Sequence, residues 1–314
     1  MSRAEEVARE LIARRRAVAS MDGFRAYMSR TGSVDFENEP ARHHELIMRE
    51  LERLESGEVR KVMILAPPGS AKSTYGSVQF PLWYLAKHPR EGILCCSNTD
   101  GLAETFNRRR RNIAYSQEWQ NVSGTQVASD LQGISLWGTA EQGWVRAAGV
   151  GASIVGWRSH LAILDDPISS QEEAYSATAL DKQWEWYIAE YRTRMRPDAR
   201  EVLISTRWAN RDIAGRLLEL IGEGEERGWS ILRLPMLCDA EDDPLGRAIG
   251  EPLWAEYFNP DFIAEKQRDA FVWATQFQQT PLDEAGSWVT PEHLRAEAYA
   301  PESLTYVIAV DLAL

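Results

Sequence analysis

Lys72, Ser73 and, further along the chain, the adjacent carboxylates Asp165 and Asp166 are the side chains whose types and spacing could do phosphate chemistry. Lys72 and Ser73 close the stretch Val62-Met63-Ile64-Leu65-Ala66-Pro67-Pro68-Gly69-Ser70-Ala71-Lys72-Ser73-Thr74, an apolar run that breaks into a Pro/Gly turn. Buried strand, tight turn and helix start is the layout in which backbone N–H groups cradle phosphates, a lysine reaches the β/γ oxygens and a hydroxyl ligates Mg²⁺. Pro67, Pro68, Gly69, Ser70, Ala71, Lys72, Ser73 and Thr74 are therefore candidate nucleotide contacts. The usual pattern is G-x-x-x-x-G-K-[ST]. Both outer glycines are alanines here, Ala66 and Ala71, and a Cβ makes φ > 0 costly at those positions. Taken alone, the stretch also reads as a plain Pro/Gly turn before a helix.

Asp165 and Asp166 end a second apolar run, Leu161-Ala162-Ile163-Leu164-Asp165-Asp166-Pro167. Such a run reads as a buried parallel strand, and in open α/β sheets ligands sit at the carboxyl ends of strands. Phosphate-loop enzymes hold Mg²⁺ through the loop hydroxyl and an Asp at a strand end, and a second carboxylate can orient or deprotonate water. Ser73 and Asp165 are candidate metal ligands on this pattern; Lys72 and Asp166 are candidate catalytic groups. Taken alone, Asp-Asp-Pro is a strand-to-turn signal.

The elements that must position these groups alternate along the chain. Ser2-x-x-Glu5 is a capping box ahead of Val7, Leu11 and Val18 at helical spacing. Residues 20–40 read as loop. A helix after Pro40 carries Ile47, Leu51 and Leu54 on one face and stops at Gly57. Strands are expected at residues 59–66, 93–96, 144–148, 161–164, 202–206 and 229–234. The intervening helices include one from about Lys72 bearing Phe80, Trp83, Tyr84 and Leu85, one bearing Leu102 and Phe106, a long polar one ending near Pro197, and one capped by Asn210. The tryptophans Trp83, Trp184 and Trp186 read as core. Alternation of this kind predicts an α/β fold with a mainly parallel sheet flanked by helices. Residues 236–300 are acidic, Pro-rich and aromatic, read as a small subdomain with one helix at 261–270, and residues 306–311 begin another strand.

Composition narrows the class. The chain has 314 residues, 44% apolar and 26% charged, as in a soluble globular protein. A net charge of −12 argues against a surface that coats nucleic acid as a whole, though not against a local basic track. Cys95, Cys96 and Cys238 form no disulfide framework, so a reducing intracellular setting is expected. The charged N-terminus has no apolar h-region, and no run approaches a membrane span.

With these segments in this order, residues 40–314 resemble the large terminase subunit of tailed bacteriophages, the ATPase motor that packages DNA into proheads. The stretch from Ala66 to Ser73 is similar to that family's variant Walker A, and Asp165-Asp166-Pro167 to its Walker B with the adjoining catalytic acid. Ser205-Thr206-Arg207-Trp208, followed by Asp212-Ile213-Ala214-Gly215-Arg216-Leu217, resembles its coupling motif. This implies that Ser205 and Thr206, with Arg207 beside them, sense the γ-phosphate and link hydrolysis to movement. Gln276-Phe277-Gln278-Gln279-Thr280-Pro281 resembles the approach to the nuclease domain, and Val310-Asp311 the first metal-binding Asp of that RNase H-like domain. His43-His44 fall where the family contacts adenine, which makes His44 a candidate nucleotide contact; by periodicity alone the pair reads as helix-surface histidines.

The resemblance implies a P-loop NTPase fold of the ASCE/RecA-like kind. It divides the chain into an N-terminal helical segment (1–40), an ATPase domain (41–235), a linker subdomain (236–300) and the first strand of a nuclease domain (301–314). It implies ATP and Mg²⁺ as cofactors. The implied partners are double-stranded DNA, a portal protein, the terminase small subunit and further copies in a ring on the prohead. The implied setting is the host cytoplasm, with no membrane. Asp166 stands where many phosphate-loop motors carry Glu, so its water must sit closer to the strand. A metal-dependent nuclease needs several carboxylates, and Asp311 stands alone, so this chain is expected to be the motor half of a longer protein with no DNA cleavage of its own.

Pro67, Pro68, Gly69 and Ser70 leave no arginine inside the loop, so an arginine finger is expected from a neighbouring subunit, with Arg146 or Arg158 as candidates beside an ordinary surface reading. The basic clusters best suited to DNA phosphates are Arg108, Arg109, Arg110 and Arg111, and Arg192, Arg194 and Arg196, each also readable as a solvated face. Two further readings stay open: a RecA- or helicase-type DNA-dependent ATPase unrelated to packaging, and a nucleotide-binding scaffold that barely hydrolyses ATP.

Overall fold

The computed structural model describes residues 2–281. Asp311, the strand expected near it and the remainder of the linker lie outside the described residues.

Among the described residues eight strands form one sheet: β1 (Lys61–Leu65), β2 (Gly92–Ser97), β3 (Val127–Gln132), β4 (Leu136–Thr139), β5 (Trp144–Gly149), β6 (Ser159–Asp165), β7 (Met195–Ser205) and β8 (Trp229–Arg233). Their spatial order is β3-β4-β5-β2-β6-β7-β1-β8. The six strands from β5 to β8 in that order are parallel; β3 and β4 extend the sheet antiparallel at one edge. This is the α/β, P-loop-like architecture expected, with β7 inserted between the strand that feeds the loop and the strand that ends in Asp165.

The central strands are continuous apolar runs because both of their faces are covered. Alternate residues of one strand go to opposite sides. Val62, Ile64, Ile93, Ile163 and Ile204 pack against the N-terminal helices, while Met63, Leu94, Leu164 and Leu203 meet Trp186, Tyr187, Tyr191, Ile213 and Leu217 on the other side. The helices on the first face include α1 (Arg3–Ala19), α2 (Met21–Met28), α3 (Arg42–Ser56) and α4 (Phe80–Lys87). The expected capping box of α1 is present: Glu5 N–H donates to Ser2 Oγ and Ser2 N–H to Glu5 Oε2. Trp83 is buried on α4, its indole donating to the carbonyls of Ala17 and Val18. Trp186 is buried on the other face, and Trp184 is partly so.

Four expectations are corrected. Residues 20–40 are not all loop: Ser20 caps α2, which buries Met21, Phe24, Tyr27 and Met28 on one face. The helix before β7 ends earlier than Pro197. A π turn and a 3-10 turn close it at Arg194, and Pro197 sits inside the long strand β7 where pairing to β6 slips between Ser159 and Leu161. Such an irregularity is where a residue without an N–H is tolerated. Asp212, not Asn210, caps the following helix (Ile213–Gly222). The 261–270 helix is shorter, at Pro260–Lys266.

Among the described residues no helix is long and apolar enough to cross a membrane. Residues 236–281 form a small apolar cluster of their own around Met236, Phe258, Ile263 and Phe277.

Candidate nucleotide-binding and active site

The carboxyl ends of β1, β6 and β7 meet at a cleft of about 400 Å³ lined by the loop after β1 together with Asn98, Asp166, Thr206 and Trp208. β1 delivers the loop, and the chain then turns into a helix whose first part, Thr74–Gln79, is a π-helical segment leading into α4. Lys72 is buried, its Nζ 3.1 Å from Asp166 Oδ2 and donating to Thr206 Oγ1 at 2.8 Å. Ser73 Oγ donates to Asp165 Oδ1 at 3.1 Å, and Ser77 Oγ to Asp165 Oδ2 at 2.7 Å. Residues far apart in the chain thus converge: loop lysine, loop hydroxyl, both acids and the β7 end.

The acids differ in environment. Asp165 is 2% exposed, and burial, followed by the charge of Asp166, pushes its carboxyl up to about 7. Asp166 is half-buried in a left-handed backbone conformation, φ 42°, a costly state for a residue with a Cβ. Three contacts hold it there. Its N–H donates to Ile204 O, its carbonyl accepts Asn98 Nδ2 at 3.0 Å, and its Oδ1 accepts the Thr206 N–H at 2.6 Å.

Within the loop the two alanines differ. Ala66 is buried, with no positive φ, and its N–H donates to Ser205 O. Ala71 has φ 58°, the left-handed conformation for which glycine is the usual choice. Gly69, at φ 80°, is the loop's one position where glycine itself supplies that freedom, and a Cβ there would lie 3.4 Å from Phe258.

Among the described residues no group of three or more His, Cys, Asp or Glu is arranged to hold a metal. The oxygen donors Ser73 and Asp165 nevertheless suit Mg²⁺, which binds through one or two carboxylates plus substrate phosphates and keeps several waters.

β7 ends in Ser205, and Thr206 and Arg207 follow it, all three buried. Thr206 faces Lys72, whereas Ser205 Oγ donates to the Thr206 carbonyl. Arg207 points away from the cleft into an ion pair with Asp212 at 3.0 Å, and its N–H donates to Gln279 Oε1 at 3.0 Å. Asp212 also accepts the N–H groups of Trp208, Ala209 and Gly215. Gly215 is essential to this corner: a Cβ there would lie 1.9 Å from the Asn210 carbonyl oxygen. Gly215→Ala is expected to destabilise the fold by about 1–3 kcal/mol, measured as a lower urea midpoint at unchanged m-value.

Several expected sites lie elsewhere. His43 and His44 are not surface residues: both rings are buried, and both Nε2 atoms approach Ser70 O, at 3.2 and 3.0 Å. They sit behind the loop that follows β1, where Tyr75 and Trp254 close over them. The first basic cluster is not an open track, and the second is partly paired. On α5 (Asp100–Ala114) Arg110 is fully buried and donates to Ser77 O and Asn107 Oδ1, Arg109 pairs with Asp35, Arg111 reaches Gln132 O, and Arg108 alone is exposed. Arg192 pairs with Glu226 and Arg196 with Asp198. Arg146 and Arg158 do not line the cleft: Arg146 donates to Ser153 O and lies over the Trp157 ring, and Arg158 is exposed.

Sequence reasoning missed Ser77 and Asn98. Ser77 was findable, standing one helical turn after Ser73; Asn98 follows the carboxyl end of β2, where the strand-end rule also applies.

The buried histidines carry a pH dependence. Burial holds His43 down to about 3, with His44 and Arg247 adding to the effect, and holds His44 down to about 4. Groups with a depressed folded pKa contribute stability that is full above the unfolded value, about 6.5, and is lost as pH falls towards 4. Asp165 titrates with the opposite sign. The difference between urea midpoints of wild type and His43→Leu is therefore expected to shrink in favour of the variant between about pH 6.5 and 4.

Fold and cleft together define an α/β protein of P-loop-like NTPase architecture with a cleft at the carboxyl ends of its parallel strands. No protein-family profile matches the sequence, and no curated protein matches it. Among solved structures the fold is similar to phage large terminase ATPase domains. The large terminase of bacteriophage HK97 has a TM-score of 0.49 at 10% identity, over 77% of this chain and 50% of that one. An arginine mutant of the Thermus phage P74-26 large terminase ATPase domain has a TM-score of 0.49 at 15% identity, over 80% of this chain and 99% of that one. The chain thus spans about half the length of the HK97 protein. At these values the likeness is one of fold and carries no residue's role across.

Proposed function

We propose that this chain is an ATP-hydrolysing motor subunit of the large-terminase type, driving double-stranded DNA into a prohead. The observation that carries the ATPase part is the convergence of Lys72, Ser73, Asp165, Asp166 and Thr206 on one cleft at the ends of three parallel strands. Lys72 neutralises the β/γ-phosphates, leaving its ion pair with Asp166 to do so. Ser73 and Asp165 hold Mg²⁺, which when bound supplies charge neutralisation on the phosphate oxygens. Asp166, freed from Lys72, orients the attacking water and accepts its proton. Thr206, on the same lysine, registers that exchange. Arg207 links it through Asp212 and Gln279 to the C-terminal segment, and Ser205 holds the Thr206 carbonyl beside it. DNA, portal protein, the small subunit and a ring of copies are the partners this reading requires.

The test is ATP hydrolysis with and without linear duplex DNA and portal protein. Turnover raised by portal or DNA is the expected result. Turnover stimulated by DNA but indifferent to portal and prohead would favour a helicase-type ATPase. Tight binding without turnover would favour a nucleotide-binding module, a reading that the closed Lys72–Asp166 pair also fits.

Among the described residues no arginine lines the cleft, so this reading takes the finger from a neighbouring copy. Arg158 is exposed and has no ion pair or side-chain hydrogen bond among the described residues. Arg158→Ala mixed with Lys72→Ala is expected to recover ATPase activity that neither has alone, since one mixed interface is intact. Absence of recovery, for this variant and for Arg146→Ala, would refute a finger in trans from either residue.

A further inference from the structure

The phosphate loop is held from behind by two imidazoles, and the loop's geometry says what they do. His44 Nδ1 accepts the Ala41 N–H at 3.0 Å, so its hydrogen is on Nε2, and Nε2 donates to the Ser70 carbonyl at 3.0 Å. His43 Nε2 reaches the same oxygen at 3.2 Å. The rings are 0% and 2% exposed, Tyr75 stacks on His44 at 4.5 Å, and Trp254 lies 5.4 and 4.8 Å from the two rings. A trans peptide is planar, with C=O and N–H pointing to opposite sides. Holding the Ser70 oxygen against α3 therefore turns the Ala71 N–H away from α3. Ala71 lines the cleft, and among the described residues its N–H has no acceptor. The same residue is left-handed at φ 58° without being glycine.

We propose that His43 and His44 are positioning residues that clamp the Ser70–Ala71 peptide so that the Ala71 N–H faces the triphosphate. They do by two hydrogen bonds what a glycine at that position does by conformational freedom. The inference rests on the phosphate-loop reading, and it gives the histidines a part behind the loop and not against the base. Trp254 and Tyr75 keep water from competing for the Ser70 oxygen, which is why both rings are neutral and enclosed.

The test is equilibrium binding of ATP with Mg²⁺, and steady-state KM and kcat, for five proteins: wild type, His43→Leu/His44→Leu, the same pair with Ala71→Gly, His44→Leu and His44→Gln. The double variant is expected to bind ATP about tenfold more weakly, the worth of one or two hydrogen bonds, with the loss in KM and not in kcat. Adding Ala71→Gly is expected to recover most of it, and His44→Gln, which keeps a donor near the carbonyl, to lose less than His44→Leu. Recovery through glycine would not follow if the histidines were only packing. Should the double variant fail to fold in a thermal melt, His44→Leu with and without Ala71→Gly gives the same readout. Unchanged ATP affinity in a folded variant, or no recovery with glycine, overturns the proposal while wild-type binding leaves the phosphate-loop reading intact. Absence of ATP binding by wild type overturns both.

Discussion

Asp166→Asn is expected to lower ATP turnover by about 10²–10⁴-fold while ATP binding persists. The amide is isosteric, so its oxygen still accepts the Thr206 N–H and the left-handed backbone is still held by Asn98 and Ile204. What disappears is the negative charge that pairs with Lys72 at 3.1 Å and that can take a proton from water. Removing that charge frees Lys72 for the phosphates, so nucleotide affinity is expected to stay level or rise. Single-turnover hydrolysis and equilibrium titration separate the two effects. Turnover within about threefold of wild type would remove Asp166 from the chemistry, because a general base contributes far more than that.

Lys72→Met is expected to weaken ATP binding and to abolish measurable turnover. Methionine keeps the apolar stem of a side chain that is 5% exposed and deletes only its ammonium group. Truncating one partner of a buried charged hydrogen bond costs about 2–5 kcal/mol, which is about 30- to several-thousand-fold in affinity. Stability should change little by comparison, since the Asp166 carboxylate left behind is 28% exposed and can be solvated. The pair of variants also discriminates between roles: Lys72→Met loses binding and turnover together, Asp166→Asn loses turnover alone. Equal ATP affinity in Lys72→Met and wild type would mean that the triphosphate does not lie on this loop.

Much of the frame was legible because it is local. β1 and β6 are continuous apolar runs that need burial on both faces, and each ends in residues that cannot continue a core: Pro67 after one, Asp165 and Asp166 after the other. β3 and β4 left no comparable signal, because an edge hairpin with most of β3 outside the core carries little apolar patterning. α2 was hidden by its length of 8 residues and its internal Gly23, and is stabilised by burial against neighbours more than by its own propensity. The arginine run on α5 shows the limit most clearly. Four adjacent arginines read as one charged face, yet a helix turns each to a different side, and Arg110 points inward to the Ser77 carbonyl while Arg108 faces solvent.

By itself the sequence determined the inventory and its order: a strand, a loop ending in lysine and serine, and a second strand ending in two acids. Those features follow from apolar runs and turn residues a few positions apart. Only the tertiary structure decided that Lys72 rests on Asp166 and Thr206, that Ala71 takes a left-handed conformation, and that His43 and His44 are buried behind Ser70. Each of these depends on groups brought together from distant parts of the chain, and whether an imidazole or a guanidinium meets water or a carbonyl is settled by what packs over it.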